Sequence, residues 1–576
     1  MTTANLTLGS GTDPAADPTT TTLSIPPDVF YDRQFKAAFE TAHASGRLKP
    51  LVFPISFLGS VILPVLYLSV PHTTRPWLYR LRWAVAAAVV ALNVRLMQTT
   101  SAANEAIAYG TGLIAVWGTI WALRMLIFTR PQWEAARIVR VPKGEAEEGR
   151  EKKVVKADVA LDESVAAALE DYDYVWQPYP ARAPFLTRLG WSIDLLICFR
   201  GAGWNFAISS IPQPPPPSPR LFQSKQPILV QIASIPLHSR TGIFRSQTYA
   251  SFLRDRLFRM LVSWMVLDVL TITLRKDPYF IFGPEPVPSN NNPFPSILPS
   301  DLMAPTVPEF LPNLPLKQYT LPLLRNACAL VGIWSGLEFY TSIAQLAFVF
   351  LPLLLVPRRL RGAWWPGTDL WANPSLFGNF VSCVLDKGLR GFWSGWWHQT
   401  FRAGFLAGPQ WALAKGQSKH KHGHGEFDAT AVIQILWAFL LSGLLHGAGG
   451  HTSPRENTVL WEPVMFFMLQ GAGVLLQTWI ARLARPVMAG CGVSRTWRRV
   501  GNLLFVLAWL HVTAWWLIDD MSRAGLWLFE PVPMSFLRIA GFGSKGDENW
   551  WRWGGRYGFR WYTAPDGRWW ESGFML

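Results

Sequence analysis

The stretch Ala429-Thr-Ala-Val-Ile-Gln-Ile-Leu-Trp-Ala-Phe-Leu-Leu-Ser-Gly-Leu-Leu-His-Gly447 decides the class of this protein. It carries no Asp, Glu, Lys or Arg, and its length is close to the roughly 20 apolar residues that cross a bilayer. His446 lies near its end, with Ser442 one helical turn earlier on the same face. An ionisable residue at membrane depth is costly unless it is paired or faces a polar cavity. The stretch therefore predicts a membrane span with a functional histidine, the alternative being a structural histidine bonded to a neighbouring helix.

The whole chain has the composition of a membrane protein. Half of its 576 residues are hydrophobic and only 16% are charged, whereas soluble domains carry about 25% charged residues. Similar apolar runs occur at 51–70, 106–128, 459–480 and 500–518, with weaker ones at 83–97 and 260–274. The run 321–356 is long enough for two spans, and we expect a break near Ser335 and Gly336. These runs predict an all-α, polytopic integral membrane protein with about eight or nine transmembrane helices.

Interruptions of the apolar pattern predict five regions. They are a disordered tail (1–48), the N-terminal transmembrane helices (49–129), a charged soluble insertion (130–185), a core (186–540) and a Trp- and Arg-rich tail (541–576). The disordered tail is rich in Thr, Pro and Ala. The insertion carries clustered charges and is expected to be solvated and partly helical.

The basic residues predict part of the topology. The net charge of +15 is better explained by basic cytoplasmic loops facing membrane lipids than by nucleic-acid binding, so we expect no nucleic-acid partner. The segments 358–421 and 482–499 are strongly basic, and the link 447–457 between them has one arginine, Arg455. With one span on each side of that link, both basic segments should be cytoplasmic and the link lumenal.

The sequence gives weak metal signals and no strong one. Alternate histidines at 420–424 resemble a chelating tract, but without a fixed scaffold or a carboxylate we interpret them as a mobile basic loop tip. Asp519 and Asp520 at the end of the last span are expected to mark a solvated helix end. The cysteines show neither metal-like spacing nor a paired pattern, so no metal site is predicted; they are Cys198, Cys328, Cys383 and Cys491.

A second histidine lies in the aromatic stretch 389–402, Leu-Arg-Gly-Phe-Trp-Ser-Gly-Trp-Trp-His-Gln-Thr-Phe-Arg. Read as one helix, it separates into an aromatic arc and a polar stripe that contains His398, Gln399 and Arg402. Such a helix suits a membrane–water boundary. It either presents His398 to a ligand or serves as a simple anchor whose polar side chains are solvated by headgroups.

The two histidine stretches, with three further motifs, resemble the wax-synthase-like branch of the membrane-bound O-acyltransferase superfamily, as found in fungi. The motifs are Phe392-Trp393-x-x-x-Trp397-His398-Gln399-x-x-Arg402, Ser442-Gly-Leu-Leu-His446, Trp371-x-x-Pro374-x-Leu376-Phe377-Gly378, Arg200-Gly-Ala-Gly-Trp204-Asn205 and Phe466-Phe-Met-Leu-Gln470. The resemblance runs from about residue 190 to 540. One departure is Ser394-Gly395, where the family has a glycine and a basic residue, so the interfacial helix lacks a positive charge.

The resemblance implies an acyl-CoA-dependent O-acyltransferase of the endoplasmic reticulum membrane. Acyl-CoA would be a co-substrate, with no permanently bound cofactor, and the acceptor a lipophilic alcohol. His446 would be the general base, while His398 and Gln399 orient the donor or stabilise the oxyanion. Three arginines are candidates for the CoA phosphates, with headgroup anchoring as the alternative: Arg402, Arg390 and Arg200.

Two other functions remain open on the sequence. The same branch includes acetyl-CoA-dependent O-acetyltransferases of terpenoid or polyketide alcohols, and nothing in the motifs fixes acyl length. A proton-coupled transporter would use both histidines in a relay and should show several acidic residues within its spans. The main ones here are Asp268, Glu338 and Glu462.

Overall fold

The computed structural model describes most of the chain. The described residues are 27–143, 163–169, 171–215, 217, 222, 228–284, 317–355, 366–416, 429–455, 458–543, 549–553, 560–565 and 567–576. They are predominantly helical, with three small sheets. The predicted all-α membrane class is confirmed.

The main helices carry the labels α1 to α13. They are α1 (Pro27–Ala44), α2 (Leu63–Ser69), α3 (Arg82–Thr99), α4 (Glu105–Leu123), α5 (Phe185–Ile197), α6 (Tyr249–Leu274), α7 (Lys317–Leu355), α8 (Asp386–Gly391), α9 (Arg402–Gly416), α10 (Ala429–His451), α11 (Trp461–Gly490), α12 (Arg495–Thr513) and α13 (Trp515–Arg523). Shorter helices lie at Pro76–Arg80, Pro131–Glu134, Glu163–Ala168, Pro278–Phe282 and Phe536–Ile539.

Five of the described helices are long and apolar enough to cross a membrane. They are Glu105–Phe128, which is α4 with a π-helical extension, α6, residues 320–355 of α7, α10 and α11. Helices α12 and α13 pass the same test together as one span bent by 41°, which gives up to six. The predicted runs 51–70 and 83–97 correspond to a shorter apolar helix, Ile55–Ser69, and to α3. By length and composition the described residues therefore support five or six spans, and the number of eight or nine stays a prediction.

The break expected near Ser335 and Gly336 is wrong, because α7 runs unbroken from Lys317 to Leu355. A glycine in a helix costs only about 1 kcal/mol relative to alanine, which does not end a helix that is packed on both sides of it. Ser335 is fully buried. Beyond it, Phe339 packs edge-to-face against Trp264 of α6, with ring centroids 5.9 Å apart.

The stretch 389–402 is not the continuous interfacial helix that its periodicity predicts. Helix α8 passes into a π-helical turn, Phe392–Trp396, and Trp397 then adopts an extended conformation (φ −64°, ψ 149°). The aromatic arc also faces protein rather than lipid, since Phe392 is buried against Val474 and Val506. Glycine permits this packing: a Cβ at Gly395 would lie 2.7 Å from Cys383 Sγ.

The regions outside the core contain more regular structure than the sequence suggested. Helix α1 lies within the predicted disordered tail, and its Asp28 forms an ion pair of 3.1 Å with Arg275; residues 1–26 are outside the described residues. The strands are β1 (Lys49–Pro50), β2 (Val52–Phe53), β3 (Thr100–Ser101), β4 (Ala136–Pro142), β5 (Tyr172–Pro178), β6 (Ile228–Leu229), β7 (Arg560–Tyr562) and β8 (Gly573–Met575).

These strands tie the flanking regions to the bundle. Strands β4 and β5 of the predicted insertion pair antiparallel, from Ala136 opposite Pro178 to Pro142 opposite Tyr172, and β6 extends the sheet. The C-terminal strands β7 and β8 pair with each other and β8 pairs with β2, while β1 pairs with β3. The described part of 130–185 therefore contains two short helices, in line with the expected partly helical structure, and in addition an antiparallel sheet.

The solvated helix end expected at Asp519 and Asp520 is also wrong. Asp519 is 7% exposed and Asp520 is fully buried, because α13 packs against α11 and α10 instead of ending in solvent. Asp519 accepts a hydrogen bond from Tyr279.

The two basic segments lie at the same end of the bundle, as predicted. Asp386 of the first segment forms ion pairs with Arg499 (2.7 Å) and Arg495 (2.8 Å) of the second. These two guanidinium groups hold the pKa of the Asp386 carboxyl well below its ordinary value. The link after α10 lies at the other end, where Ser101 donates to the Thr452 carbonyl at 2.6 Å.

Cysteine labelling tests which end is cytoplasmic. Cys491 is exposed at the basic end, so an impermeant maleimide should label it in sealed microsomes whose cytoplasmic face is outward. In a Cys491→Ser background, His451→Cys at the opposite end should be labelled only after detergent is added. Labelling of His451→Cys in sealed vesicles would reverse the assignment.

Candidate active site

Both predicted histidines line one cavity of about 590 Å³. It lies between the π-helical turn, the segment after it, α9, α10 and α11. Its aromatic wall consists of Trp393, Trp397, Phe401, Phe405, Phe439 and Phe467. Its polar and charged wall includes Ser209, Ser210, Arg240, Thr241, Lys387, Arg390, Ser394, Gln399, Arg402, Gln434 and Ser442. Two histidines that are 48 residues apart in the chain, 398 and 446, thus share one internal space.

His446 is fixed by helix packing on two sides. Phe467 of α11 stacks on its ring with centroids 5.0 Å apart and an interplanar angle of 16°. This approach needs glycine at 443, because a Cβ there would lie 2.5 Å from Val464 Cα of α11. On the other side, the Tyr109 hydroxyl of α4 lies 3.4 Å from His446 Nδ1. The remaining nitrogen, Nε2, is the one available to a molecule in the cavity.

His398 lies on the irregular segment between the π-helical turn and α9. Its ring packs edge-to-face against Phe401 at 5.6 Å, and the residue lines the cavity. Its Nδ1 atom is buried and has no hydrogen-bond partner among the described residues. Burial, followed by the nearby His446 and Arg200, lowers the pKa of His398 to about 3. His398 is therefore neutral near pH 7, with one ring nitrogen left for a ligand.

Gln399 holds the backbone beside His398. Its Nε2 amide donates to the carbonyls of Trp393 (2.7 Å) and Trp397 (2.8 Å), and Arg402 donates to its Oε1 at 3.2 Å. Both amide hydrogens are used in closing the π-helical turn. This geometry leaves no amide donor for an oxyanion, so the contribution it favours for Gln399 is to position His398.

The three predicted phosphate-binding arginines are placed differently. Arg390 and Arg402 line the cavity, and Arg402 also donates to the Ser394 carbonyl at 3.2 Å. Arg200 is not part of the described cavity wall. Its guanidinium donates to the carbonyls of Ser375 (2.7 Å) and Pro374 (2.9 Å), so it tethers the segment that precedes the π-helical turn.

Sequence reasoning missed two cations in the cavity wall, Arg240 and Lys387, both exposed. Lys387 lies in the basic segment 358–421, but its spacing to Arg390 is not a helical signal, because Gly388 between them (φ 62°, ψ −142°) breaks the helix. The sequence around Arg240 contains no motif that predicts a position in the cavity wall. The turn at Gly242 (φ 77°) packs closely on Asn379, and this packing brings Arg240 to the wall. Together these cations restore the positive charge that Ser394-Gly395 lacks.

No metal centre emerges from the described part of the chain. No three His, Cys, Asp or Glu side chains converge there as a possible metal site. The histidine-rich tract at 420–424 lies outside the described residues. The chemistry available in the cavity is therefore that of two imidazoles, an aromatic wall and a cationic end.

Residues 373–469, which contain both histidines, match the model of the Membrane bound O-acyl transferase family. No curated protein and no solved structure matches the chain. The match over residues 373–469 supports a relationship of this chain to the membrane-bound O-acyltransferase superfamily. That superfamily implies O-acyltransferase activity in an integral membrane protein.

Proposed function

We propose that the protein is an acyl-CoA-dependent O-acyltransferase that joins an acyl group to a lipophilic alcohol, as in the wax-synthase-like branch. The observation that carries this proposal is that His446 and His398 line one cavity. The endoplasmic reticulum is the proposed location.

The proposed reaction is a direct transfer. The alcohol oxygen attacks the thioester carbonyl carbon, the new C–O bond forms and the C–S bond breaks. Nε2 of His446 takes the hydroxyl proton as the attack proceeds and then returns a proton to the CoA thiolate. The products are an ester and CoA with a free thiol. No metal or permanently bound cofactor enters this scheme.

His398 is assigned to the carbonyl oxygen. As a neutral imidazole it can donate one hydrogen bond, and a donor aimed at developing negative charge in a dry site is a major catalytic contribution. The rigid aromatic contacts of His398 and the Gln399 hydrogen bonds keep it in place before substrate arrives. Its role is therefore to position the donor and stabilise the oxyanion.

The distribution of charge suggests how the donor lies. Arg240, Lys387, Arg390 and Arg402 lie on the cavity wall toward the end that carries the basic segments. Arginine and lysine are the usual partners of phosphate, so this end suits the CoA nucleotide. The aromatic wall then surrounds the thioester and the apolar acceptor.

An acetyltransferase acting on a terpenoid or polyketide alcohol would use the same residues. Acyl length separates this secondary-metabolite reaction from wax-ester or other lipid synthesis. A product screen with acetyl-CoA and palmitoyl-CoA, each offered with fatty alcohols and sterol-like alcohols, distinguishes the two.

The contacts of the acidic residues argue against a proton-coupled transporter. None of the three main intramembrane acids lines the described cavity with the histidines. Each has a partner elsewhere: Asp268 with Ser535, Glu338 with Arg259, and Glu462 with Arg523. A proton relay between the histidines would need acids in the space between them.

The first test removes the proposed base. His446→Ala should reduce transfer of labelled acyl groups from CoA by about 10²- to 10⁴-fold, since a general base contributes that much. His511→Ala is the matched control, because this histidine lies in α12 and bonds to Asn326 away from the cavity. Normal membrane insertion with activity above about a tenth of wild type in His446→Ala would make this histidine structural.

The second test separates phosphate contacts from thioester contacts. Arg240→Ala and Lys387→Ala should each raise KM for acyl-CoA roughly tenfold or more, since a hydrogen bond to a charged group contributes about 1.5–3 kcal/mol. KM for the matching acyl-N-acetylcysteamine thioester, which has no phosphate, should be unchanged. Arg130→Ala, an exposed arginine paired with Glu134, should change neither. Equal effects on both donors would remove these cations from the donor site.

A further inference from the structure

The side of His446 that faces away from the cavity contacts a buried tyrosine. The Tyr109 hydroxyl lies 3.4 Å from Nδ1, and the tyrosine is only 4% exposed. It lies behind the imidazole and not in the cavity wall. A group in this place can decide which ring nitrogen carries the proton.

The contact between Tyr109 and His446 is held by the packing of α4 on α10. A Cβ at Gly112 would collide with the Ala448 carbonyl, and one at Gly449 would lie 2.6 Å from Tyr109 Cε1. Thr452 Oγ1 donates to the Ala108 carbonyl at 2.7 Å and accepts from the Gly112 amide at 3.0 Å. The tyrosine thus has little freedom to turn away from the histidine.

A buried carboxyl group also lies near this end of α10. Asp520 is fully buried, and a Cβ at Gly450 would lie 2.7 Å from its Oδ2. Its immediate polar surroundings are the Val459 backbone, which can donate a hydrogen bond to it, Glu462 and Arg523. These groups, and not His446, surround the Asp520 carboxyl.

We propose that Tyr109 is a positioning residue that prepares His446 to accept a proton. Its hydroxyl oxygen accepts the Nδ1 hydrogen of His446. Nε2 is then unprotonated and faces the cavity. With the opposite orientation, in which Tyr109 donates to Nδ1, Nε2 would carry the hydrogen and could not act as a base. This inference rests on the proposed acyl transfer.

The arrangement also serves the step that follows. When the alcohol proton reaches Nε2, the imidazole becomes positively charged. The hydrogen on Nδ1 stays in its bond to Tyr109, whose hydroxyl dipole stabilises the cation. No proton needs to leave Nδ1. The 3.4 Å separation is long for a hydrogen bond, as is common for catalytic contacts without substrate.

The test removes the Tyr109 hydroxyl in the full chain. Tyr109→Phe should lower kcat about 10- to 100-fold, the fold-change expected for losing one hydrogen bond to a group that becomes charged, and leave KM for acyl-CoA unchanged. A more acidic, fluorinated acceptor alcohol should recover part of the loss, because it needs a weaker base. A packing defect would lower kcat equally with the ordinary and with the fluorinated alcohol.

Tyr279→Phe is the matched control. Its hydroxyl bonds to Asp519, the neighbour of Asp520, yet it does not contact His446. This variant loses a comparable hydrogen bond and should keep its kcat. Equal losses in Tyr279→Phe and Tyr109→Phe would assign the effect to packing and overturn the proposal.

A readout without turnover keeps the positioning role of Tyr109 and the proposed function separate. Diethyl pyrocarbonate modifies the unprotonated imidazole nitrogen, and mass spectrometry follows His446 with His398 as an internal reference. Modification of His446 should slow several-fold in Tyr109→Phe and not in Tyr279→Phe. If the wild-type protein transfers no acyl group but this difference appears, acyl transfer fails and the positioning role stands. An active wild type with unchanged kcat and labelling in Tyr109→Phe overturns the positioning role alone.

Discussion

The site depends on the direct backbone contact between α4 and α10. In a bilayer, lipid is as apolar as leucine, so helices associate through small residues that let backbones approach and through hydrogen bonds between them. Gly112 and Ala448 provide the approach, and Thr452 bonds to two backbone groups of α4. This contact sets the rotation of α10, which directs one nitrogen of His446 to Tyr109 and leaves the other for the cavity.

The cavity wall that carries His398 is formed by irregular backbone instead of by helix packing. A helix could not carry both the aromatic side chains into the core and His398 into the cavity, since their spacing separates them around its axis. The π-helical turn and the extended Trp397 change that geometry, and Gln399 satisfies two of the carbonyls released. His398 therefore lies on irregular backbone at the cavity wall, which is tolerated in a membrane protein where it is enclosed by protein.

The sequence predicted what periodicity and residue chemistry encode. The apolar runs gave the membrane class, and the cost of burying histidine singled out His446, which the structure brings to one cavity with His398. Periodicity failed at 389–402 and at Gly336 because tertiary packing decided both. Tyr109 could not be selected, since a tyrosine in an apolar span is an ordinary residue until its neighbours are known. Arg200 was predicted to bind phosphate because of its residue type, but its guanidinium donates to two backbone carbonyls instead.

The central claim is that acyl transfer takes place between His398 and His446. The most direct measurement is an experimental structure of the protein with a non-transferable acyl-CoA analogue, in which a methylene group separates the sulfur from the carbonyl. We expect the carbonyl oxygen within hydrogen-bonding distance of His398, the carbonyl carbon facing His446 Nε2, and the nucleotide beside Arg240 and Lys387. An analogue bound outside this cavity, with neither imidazole near its carbonyl, would contradict the claim.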